Sequence, residues 1–422
     1  MKRTFYGWWI TLAAFFTFGI SVGIPYYNLP FFYDYFEKTF HWSRADITLG
    51  FPLAALLTLW VGPVLVHRFS PRKMILVGTG LTLAAFAGFG SMKGTLWIYY
   101  AIWFVYVVGY IFSGPIPHQV IVSNWFRKIR GRAMAMAYVG VAVGGSLGSY
   151  LVKPLAEDFG FQTALLLMGA MMLLAWPLAI WVMKDRPADL GLNPDGAVEI
   201  YAETGQKPRE FGELLRRPAF WLLAVGSFCS IGAIGAVNQH MKLVFLDQGF
   251  TDQRELNSLW RVASMLILLS SIGGRLIMGW LADRFQKKYV MTVTYVLVAV
   301  TIPLLLLVRP EQTYYLYVFA VLFGFGMGAD YMLIPLMAAD QFGVNTLARA
   351  MAILLPTDTI GQTWFPYLVA RLRLSFGDYG HALSAVFVMA ALGAIAIALM
   401  PKSGVKDAAL PLQEPERTRA GR

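Results

Sequence analysis

The chain has 422 residues, of which 57% are hydrophobic and only 14% are charged. A soluble domain carries about 25% charged residues, so this composition excludes an ordinary soluble protein and indicates a chain that lies mostly in lipid. The net charge of +11 does not indicate nucleic-acid binding, because the Lys and Arg residues lie in short runs between apolar stretches. The single cysteine, Cys229, excludes an internal disulfide.

Twelve apolar segments follow one another, each long enough to cross a bilayer as a helix of about 20 residues. They lie at 7–30, 46–66, 73–92, 96–121, 132–152, 161–183, 218–241, 257–281, 289–308, 313–337, 347–370 and 379–400. A polar, proline-bearing stretch separates the sixth from the seventh and is interpreted as a linker. The predicted units are an N-terminal bundle at 1–183, a cytoplasmic linker at 184–215, a C-terminal bundle at 216–402 and a cytoplasmic tail at 403–422.

The two groups of six segments repeat each other. The loop after segment 2 begins at His67-Arg68, and the loop after segment 8 begins at Asp283-Arg284, which is 216 positions later. Segments 5 and 11 open with the same sequence, at Arg132 and, 217 positions later, at Arg349. Duplicated halves with a binding site between them are a recurrent transporter architecture. We therefore predict an all-α membrane protein with twelve transmembrane helices in two pseudo-symmetric six-helix bundles.

Loop charges predict the orientation. The loops after segments 2, 4 and 8 are basic, whereas most loops on the opposite side are acidic or mixed. By the positive-inside rule both termini lie in the cytoplasm of a multi-pass protein of the inner, or plasma, membrane. Arg371 and Arg373, after segment 11, run against this rule but are outnumbered.

Several motifs resemble those of a known family. The sequence Gly279-Trp280-Leu281-Ala282-Asp283-Arg284 resembles the loop motif of the major facilitator superfamily, and the copy at His67-Arg68 has His67 where an Asp is usual. Tyr6-Gly7-Trp8-Trp9, Asn124-Trp125-Phe126-Arg127-Lys128 and Arg275-Leu276-Ile277-Met278-Gly279 resemble the group of monocarboxylate transporters and oxalate/formate antiporters. The resemblance implies carboxylate transport, with Gly279, Asp283, Arg284, His67 and Arg68 in gating loops.

The chain departs from that group at three positions. Animal monocarboxylate transporters place an acid one turn before the helix-8 arginine, where this chain has Ser271, and a lysine in helix 1, where it has Tyr26. The oxalate/formate antiporters place a lysine in helix 11, where this chain has Asp358. Arg275 thus lacks the second cation that would suit a dicarboxylate, and the resemblance implies a lactate-like monoanion.

Arg275 is the first candidate for substrate binding. It precedes Asp283 by eight residues, which places it about 12 Å inside the membrane from that loop. Insertion of an arginine at depth costs at least about 2.5–3.5 kcal/mol, and its planar fork binds a carboxylate through two parallel hydrogen bonds. The alternatives are a structural ion pair with Asp330 and a side chain that extends to the membrane surface.

Two acids are candidates for proton coupling. Asp330 precedes Tyr331, a candidate substrate contact, and lies near the depth of Arg275. Asp330 is a candidate for a group that gains and loses a proton during transport. The alternative is a permanent ion pair with Arg275. The two are compatible, because a substrate carboxylate can compete with Asp330 for the guanidinium. Asp358 follows Pro356, which frees a backbone carbonyl, so the alternative for Asp358 is a capping interaction with freed backbone groups.

Four further polar residues are candidate substrate contacts. His118 and Gln119 lie in segment 4, and Tyr26 and Asn28 lie in segment 1. The alternatives are a satisfied interior histidine for His118 and an aromatic belt at the membrane surface for Tyr26.

The sequence predicts transport by alternating access of a small carboxylate with a proton, by a carrier that works as a monomer. A phosphate-binding loop, paired Cys–His metal spacing and a clustered catalytic triad are all missing from it, so we expect no cofactor, no metal and no enzymatic activity. Three alternatives stay open: anion exchange without a proton, carriage of a larger aromatic acid, and a non-transporting membrane receptor.

Overall fold

The computed structural model describes residues 5–58, 61, 69–197, 209–250 and 252–402. His67 and Arg68, and the predicted tail at 403–422, lie outside the described residues.

The described residues form an all-α protein with twelve long helices, six in each half. In chain order these are α1 Gly7–Phe40, α2 Arg44–Leu57, α3 Pro71–Ser91, α4 Leu96–Trp125, α5 Arg130–Phe159, α6 Phe161–Val182, α7 Pro218–Asp247, α8 Gln253–Arg284, α9 Lys287–Leu306, α10 Tyr314–Phe342, α11 Val344–Phe376 and α12 Tyr379–Leu399. Every predicted segment coincides with one of them, which confirms the predicted fold class.

Ten of these helices are long and apolar enough to cross a membrane. The two others differ for separate reasons. α2 is described as a continuous helix only as far as Leu57, part of the way along the predicted segment. α11 has 33 residues, but its centre contains polar side chains and both Pro356 and Pro366. Polar residues at the centre of a membrane helix are costly and mark a functional site.

The two halves share their apolar core at one end of the bundle. At the end that carries Arg72, Arg132 and Arg284, which we call the basic end, one continuous buried cluster includes Met134 of α5 and Met337 of α10. At the opposite end, which we call the far end, each half has a separate cluster of its own. The halves are therefore packed together at the basic end.

Close packing of α8 on α10 brings the predicted arginine helix against the predicted acid helix. A Cβ atom added at Gly328 of α10 would overlap the backbone carbonyl of Ser271, and one added at Gly274 of α8 would overlap that of Phe325. Only glycine permits this approach of two backbones. The contact fixes the relative positions of Arg275 and Asp330.

The described parts of the linker pack on different halves. Asp185 accepts a hydrogen bond from the backbone N–H of Arg72 at 2.8 Å, and Asp195 accepts from Lys128 at 2.9 Å, both in the N-terminal half. The backbone N–H of Arg209 donates instead to Thr346 of α11 at 3.2 Å. The linker is thus anchored at each of its ends to the adjoining half.

Candidate functional site

Arg275 is buried between the halves and has one edge of its guanidinium available. Only 7% of the residue is exposed, so the side chain does not extend to the membrane surface. Nη1 donates to Ser271 Oγ at 2.9 Å, and Ser271 in turn donates to the carbonyl of Leu268. Nε has no hydrogen-bond partner among the described residues. The Nε and Nη2 edge is the one that pairs with both oxygens of a carboxylate.

No acidic side chain among the described residues neutralises the positive charge of Arg275. The groups that interact with it electrostatically are Tyr27 of α1 and Tyr138 of α5, both in the N-terminal half. Asp330 forms no ion pair with it, so that interpretation of Asp330 does not hold in this conformation. The predicted competition between Asp330 and a substrate for the guanidinium therefore has no structural basis here.

Gln362 joins the two halves through tyrosine hydroxyls. Its Oε1 atom accepts a hydrogen bond from Tyr331 of α10 at 2.9 Å and a longer one from Tyr26 of α1 at 3.3 Å. Tyr26 also packs edge-on against Phe51 and beside Tyr110, with ring centroids 6.0 Å apart in each case. Tyr26 and Tyr331, predicted from separate halves, are thus brought together at one amide.

His118 is a buried histidine with both ring nitrogens hydrogen bonded. Nδ1 lies 2.7 Å from the carbonyl oxygen of Gly114, and Nε2 lies 2.8 Å from Thr17 Oγ1. The ring stacks on Phe18 with centroids 4.6 Å apart. These contacts favour the interpretation of a satisfied interior residue, because no ring nitrogen remains for a ligand.

Gln119 and Asn28 have hydrogen-bond partners in different parts of the N-terminal half. Gln119 Nε2 donates to the hydroxyl of Tyr138, which faces Arg275, so Gln119 acts on the site through that tyrosine. Asn28 Nδ2 donates to the carbonyls of Ile24 and Gly145, at 2.8 and 3.2 Å, and ties α1 to α5. Asn28 is 4% exposed and lies in the packing interface within the N-terminal half.

Asp330 and Asp358 lie inside the C-terminal half. Asp330 is fully buried and accepts a hydrogen bond from Ser230 of α7, while Asp358 is 1% exposed. The two carboxyl groups lie close enough to interact electrostatically. No Lys, Arg or His of the described residues pairs with either carboxyl group. Asp358 does not cap the helix break at Pro356, since both its oxygens lack a hydrogen-bond partner there.

The loop motif of the C-terminal half closes the basic end. Asp283 accepts from the backbone N–H of Gly131 at 2.6 Å and of Arg132 at 3.1 Å, at the start of α5, and forms an ion pair with Arg132 Nε at 3.0 Å. A carboxylate is stabilised at a helix N-terminus by the free N–H groups there. Gly279 touches Gly131 so closely that a Cβ on either would overlap the other's carbonyl. Arg284 lies over the ring of Trp280, 4.0 Å from its centroid.

At the equivalent place in the other half, the start of α11 is held by the linker. Arg349 donates to the carbonyl of Arg209 at 2.6 Å and lies 5.8 Å from the ring centroid of Phe211. Thr346 accepts from the N–H of Arg209. The predicted N-terminal copy of the motif, at His67 and Arg68, falls outside the described residues.

Four site residues were not predicted from the sequence, namely Gln362, Tyr138, Ser230 and Tyr295 of α9, whose hydroxyl lies against Asp330. Each is a polar residue within a predicted membrane segment, and Gln362 follows Asp358 by one helical turn. The helical periodicity of α11, counted from Asp358, could therefore have predicted Gln362 as a site residue. For the other three the signal was only their depth, since ordinary packing also places Tyr and Ser inside bundles.

Comparisons with known proteins agree with this architecture. The sequence profile of the Major Facilitator Superfamily matches residues 115–277 and 260–419. The MFS transporter asaE of Aspergillus flavus is 27% identical over 95% of this chain and 87% of its own length. Monocarboxylate transporter 12 of Xenopus laevis is 26% identical over 89% of this chain and 85% of its own.

A solved structure has the same fold. The proton:xylose symporter XylE, bound to 6-bromo-6-deoxy-D-glucose, superposes with a TM-score of 0.71 at 14% identity, over 96% of this chain and 98% of that one. The family, the twelve helices and the transporter relatives point to a membrane transporter and not to an enzyme. This chain belongs to the major facilitator superfamily.

Proposed function

We propose that the chain is a secondary transporter that moves a small monocarboxylate across the plasma membrane by alternating access. The observation that carries this proposal is the guanidinium of Arg275, which is buried between the halves with its Nε and Nη2 edge unpaired. A buried cation without a counter-ion is costly, and a carboxylate that pairs with it removes that cost. The relative named a monocarboxylate transporter supports the same substrate class.

The position of Ser271 supports a monoanion. Its hydroxyl occupies one side of the guanidinium without neutralising it, so one full positive charge remains for the ligand. A single carboxylate balances that charge, whereas a dicarboxylate would leave an uncompensated anion in a low-dielectric site.

The carrier cycle follows from the packing of the halves. In this conformation the basic end is closed by the Asp283–α5 contact and the shared apolar core. We propose that the basic end faces the cytoplasm, so that substrate enters from outside and pairs with Arg275. The bond from Tyr26 to Gln362 already links α1 to α11 in this conformation, and we propose that substrate binding shortens it as the far end closes.

Charge balance favours a cation moving with the substrate. We propose that a proton on Asp330 or Asp358 accompanies the anion, because an electroneutral load avoids about 2.3 kcal/mol per charge per 100 mV of membrane potential. The acids act through their helices and not by contact with Arg275. Asp330 adjoins Tyr331, and Asp358 lies one turn from Gln362.

Uptake into proteoliposomes tests the proposal. Labelled lactate, pyruvate, formate and oxalate are offered with and without an inward proton gradient. We expect saturable monocarboxylate uptake that the gradient stimulates. Arg275→Lys keeps the positive charge but loses the planar fork that forms two hydrogen bonds to a carboxylate. Because the loss of a buried charged hydrogen bond costs about 2 kcal/mol or more, we expect uptake to fall at least about 30-fold.

Arg261→Lys is the matched control, because Arg261 lies on the exposed part of α8. It is expected to transport like the parent. If Arg275→Lys transports as well as the parent, Arg275 is not the substrate-binding residue. If uptake occurs only when unlabelled anion is present on the other side of the membrane, the protein is an exchanger.

A second candidate substrate is a larger aromatic acid. An apolar pocket lies between α2, α4 and α11, lined in part by Phe51, Tyr110 and Leu355, and Tyr26 packs against two of these residues. Such an apolar pocket suits the ring of an aromatic acid. Competition of lactate uptake by phenylpyruvate distinguishes the two: tight competition favours the aromatic acid.

A further inference from the structure

Two arginines of α11 at the far end run against the charge rule, and the structure pairs one of them. Arg373 Nη2 forms an ion pair with Asp247 Oδ1 of α7 at 2.6 Å, and its guanidinium lies 5.5 Å from the ring centroid of Tyr379. The side chain of Arg371 is exposed and forms no ion pair or hydrogen bond with any residue that the structure describes. Its positive charge therefore has no counter-charge in the described part of the chain.

An apolar groove between α7, α11 and α12 begins beside Arg371. It encloses about 300 Å³, and ligand pockets usually hold about 300–1,000 Å³. Its walls include Phe228 of α7, Phe365 and Leu368 of α11, and Met389 of α12. Among its described lining residues Arg371 alone is charged. The groove therefore suits a ligand with an apolar body and an anionic group at one end.

The groove opens on the outer surface of the bundle and not toward the other half. Successive residues of a helix are rotated by about 100°, so Arg371 lies about 180° around α11 from Gln362. Gln362 faces the N-terminal half, where it accepts a hydrogen bond from Tyr26. Trp364 and Tyr367, which also line the groove, are 52% and 59% exposed. In the membrane this surface meets lipid, and Trp and Tyr are common where lipid meets water.

The position of Arg371 along α11 places its charge at the headgroup level. A helix of 33 residues is about 50 Å long, so each end extends about 10 Å beyond a hydrocarbon core of about 30 Å. Arg371 is five residues, or about 7.5 Å, from the end of α11 at Phe376. Gly361, the lining residue of α11 at the opposite end of the groove, is about 15 Å deeper. The groove thus extends from the lipid phosphates into the hydrocarbon.

We propose that this groove binds one anionic glycerophospholipid of the leaflet at the far end. Its phosphate pairs with the guanidinium of Arg371, and an acyl chain lies along Leu368 and Met389 toward Phe228. One guanidinium matches one phosphate, and the planar fork binds two of its oxygens. Phosphatidylglycerol has a single negative charge, which Arg371 balances, whereas the choline of phosphatidylcholine already neutralises its own phosphate. The binding of this lipid does not rest on the proposed transport function.

Native mass spectrometry of the purified full chain tests the site. The delipidated protein in detergent is given an equimolar mixture of phosphatidylglycerol and phosphatidylcholine with identical acyl chains, and the first bound lipid is identified by its mass. A basic residue near the membrane surface contributes about 1 kcal/mol to the binding of an anionic lipid, so we expect phosphatidylglycerol to be retained about 5-fold more than phosphatidylcholine. Arg371→Gln should bring the ratio of the two lipids close to one.

Two further variants separate the groove from general surface charge. Leu368→Trp places a larger ring in the groove and should lower the retention of both lipids. Arg254→Gln is the matched control, because Arg254 is an exposed arginine at the far end of α8 that does not line the groove. It should keep the preference of the parent. The lipid ratio is measured within each protein, so a general change in stability does not affect the conclusion.

Equal retention of the two lipids by the parent overturns the proposal, as does an equal loss of preference in Arg254→Gln and Arg371→Gln. Unchanged retention in folded Leu368→Trp, whose melting temperature is measured in parallel, shows that the chain does not lie in the groove. An excess of soluble glycerol phosphate should leave phosphatidylglycerol bound. If it displaces the lipid, the site binds free phosphate esters, and the lipid proposal is wrong.

Discussion

The two halves of this transporter are duplicates in fold but not in chemistry. The C-terminal half contains Arg275, Asp330 and Asp358, three buried charged residues without an ion pair in the described chain. The polar groups predicted in the N-terminal half, such as His118 and Asn28, are neutral and already hydrogen bonded. Under the proposed function, the C-terminal half therefore binds the carboxylate and couples its movement, while the N-terminal half supplies a tyrosine-lined wall.

The same difference recurs at the basic end. Asp283 of the C-terminal half reaches across to the start of α5, whereas the start of α11 is held by the linker residue Arg209. The comparison predicts unequal effects of matched changes in the two halves.

The largest effect is expected at the contact between Gly131 of α5 and Gly279 of α8, which we call the seam. Gly131→Ala places a methyl group against Gly279, and overpacking costs about 1–3 kcal/mol, which favours opening of the basic end by about 5- to 150-fold. Double electron–electron resonance between spin labels placed at Lys128 and Lys287, in a Cys229→Ser background, measures this opening.

Gly273→Ala is the matched control on α8, because nothing lies within 4 Å of the added methyl group. Its label-to-label distances should match those of the parent. Identical distances in Gly131→Ala and the parent would mean that the seam is not the closing contact.

A smaller effect is expected from the two tyrosines on Gln362. Removal of a neutral hydrogen bond costs about 0.5–1.5 kcal/mol, so Tyr331→Phe should raise the KM for monocarboxylate uptake about 2- to 12-fold. Tyr26→Phe should raise it less, since its bond to Gln362 is 3.3 Å long against 2.9 Å. A larger effect at Tyr26 would reverse the assignment of roles to the halves.

The smallest effect on transport is expected at His118. His118→Gln loses part of a satisfied buried network, so the melting temperature should fall, consistent with a cost of about 1–3 kcal/mol. The KM, measured by uptake per folded molecule, should stay within about twofold of the parent, because the ring has no nitrogen left for a ligand. A large rise in KM with unchanged melting would make His118 a ligand after all.

The fold was largely predictable from the sequence because membrane helices are long and apolar. All twelve predicted segments coincide with helices, although Asp358 and Gln362 interrupt the apolar run of α11. The burial of Arg275 and of Asp330 also followed from their place in apolar segments. Their lack of an ion pair did not, since depth along an axis says nothing about the rotation of two neighbouring helices.

Contacts made at a distance in sequence were the least predictable. Ser230 and Asp330 are 100 positions apart, and Tyr26 and Gln362 are 336 apart. The Asn28 side chain was directed at its own bundle by the glycine-rich face of α5, where Gly148 leaves room for it. Such directions are fixed by packing of whole helices, which a single sequence does not specify.

The shared apolar cluster at the basic end has a consequence for how the protein is built. Because Met134 and Met337 lie in one buried core, the halves attract each other without help from the peptide bonds that join them. Each half also retains its own docked piece of linker, through Asp185 on one side and Arg209 on the other. Two fragments made separately, with the chain broken between those pieces, should therefore reassemble into a working carrier.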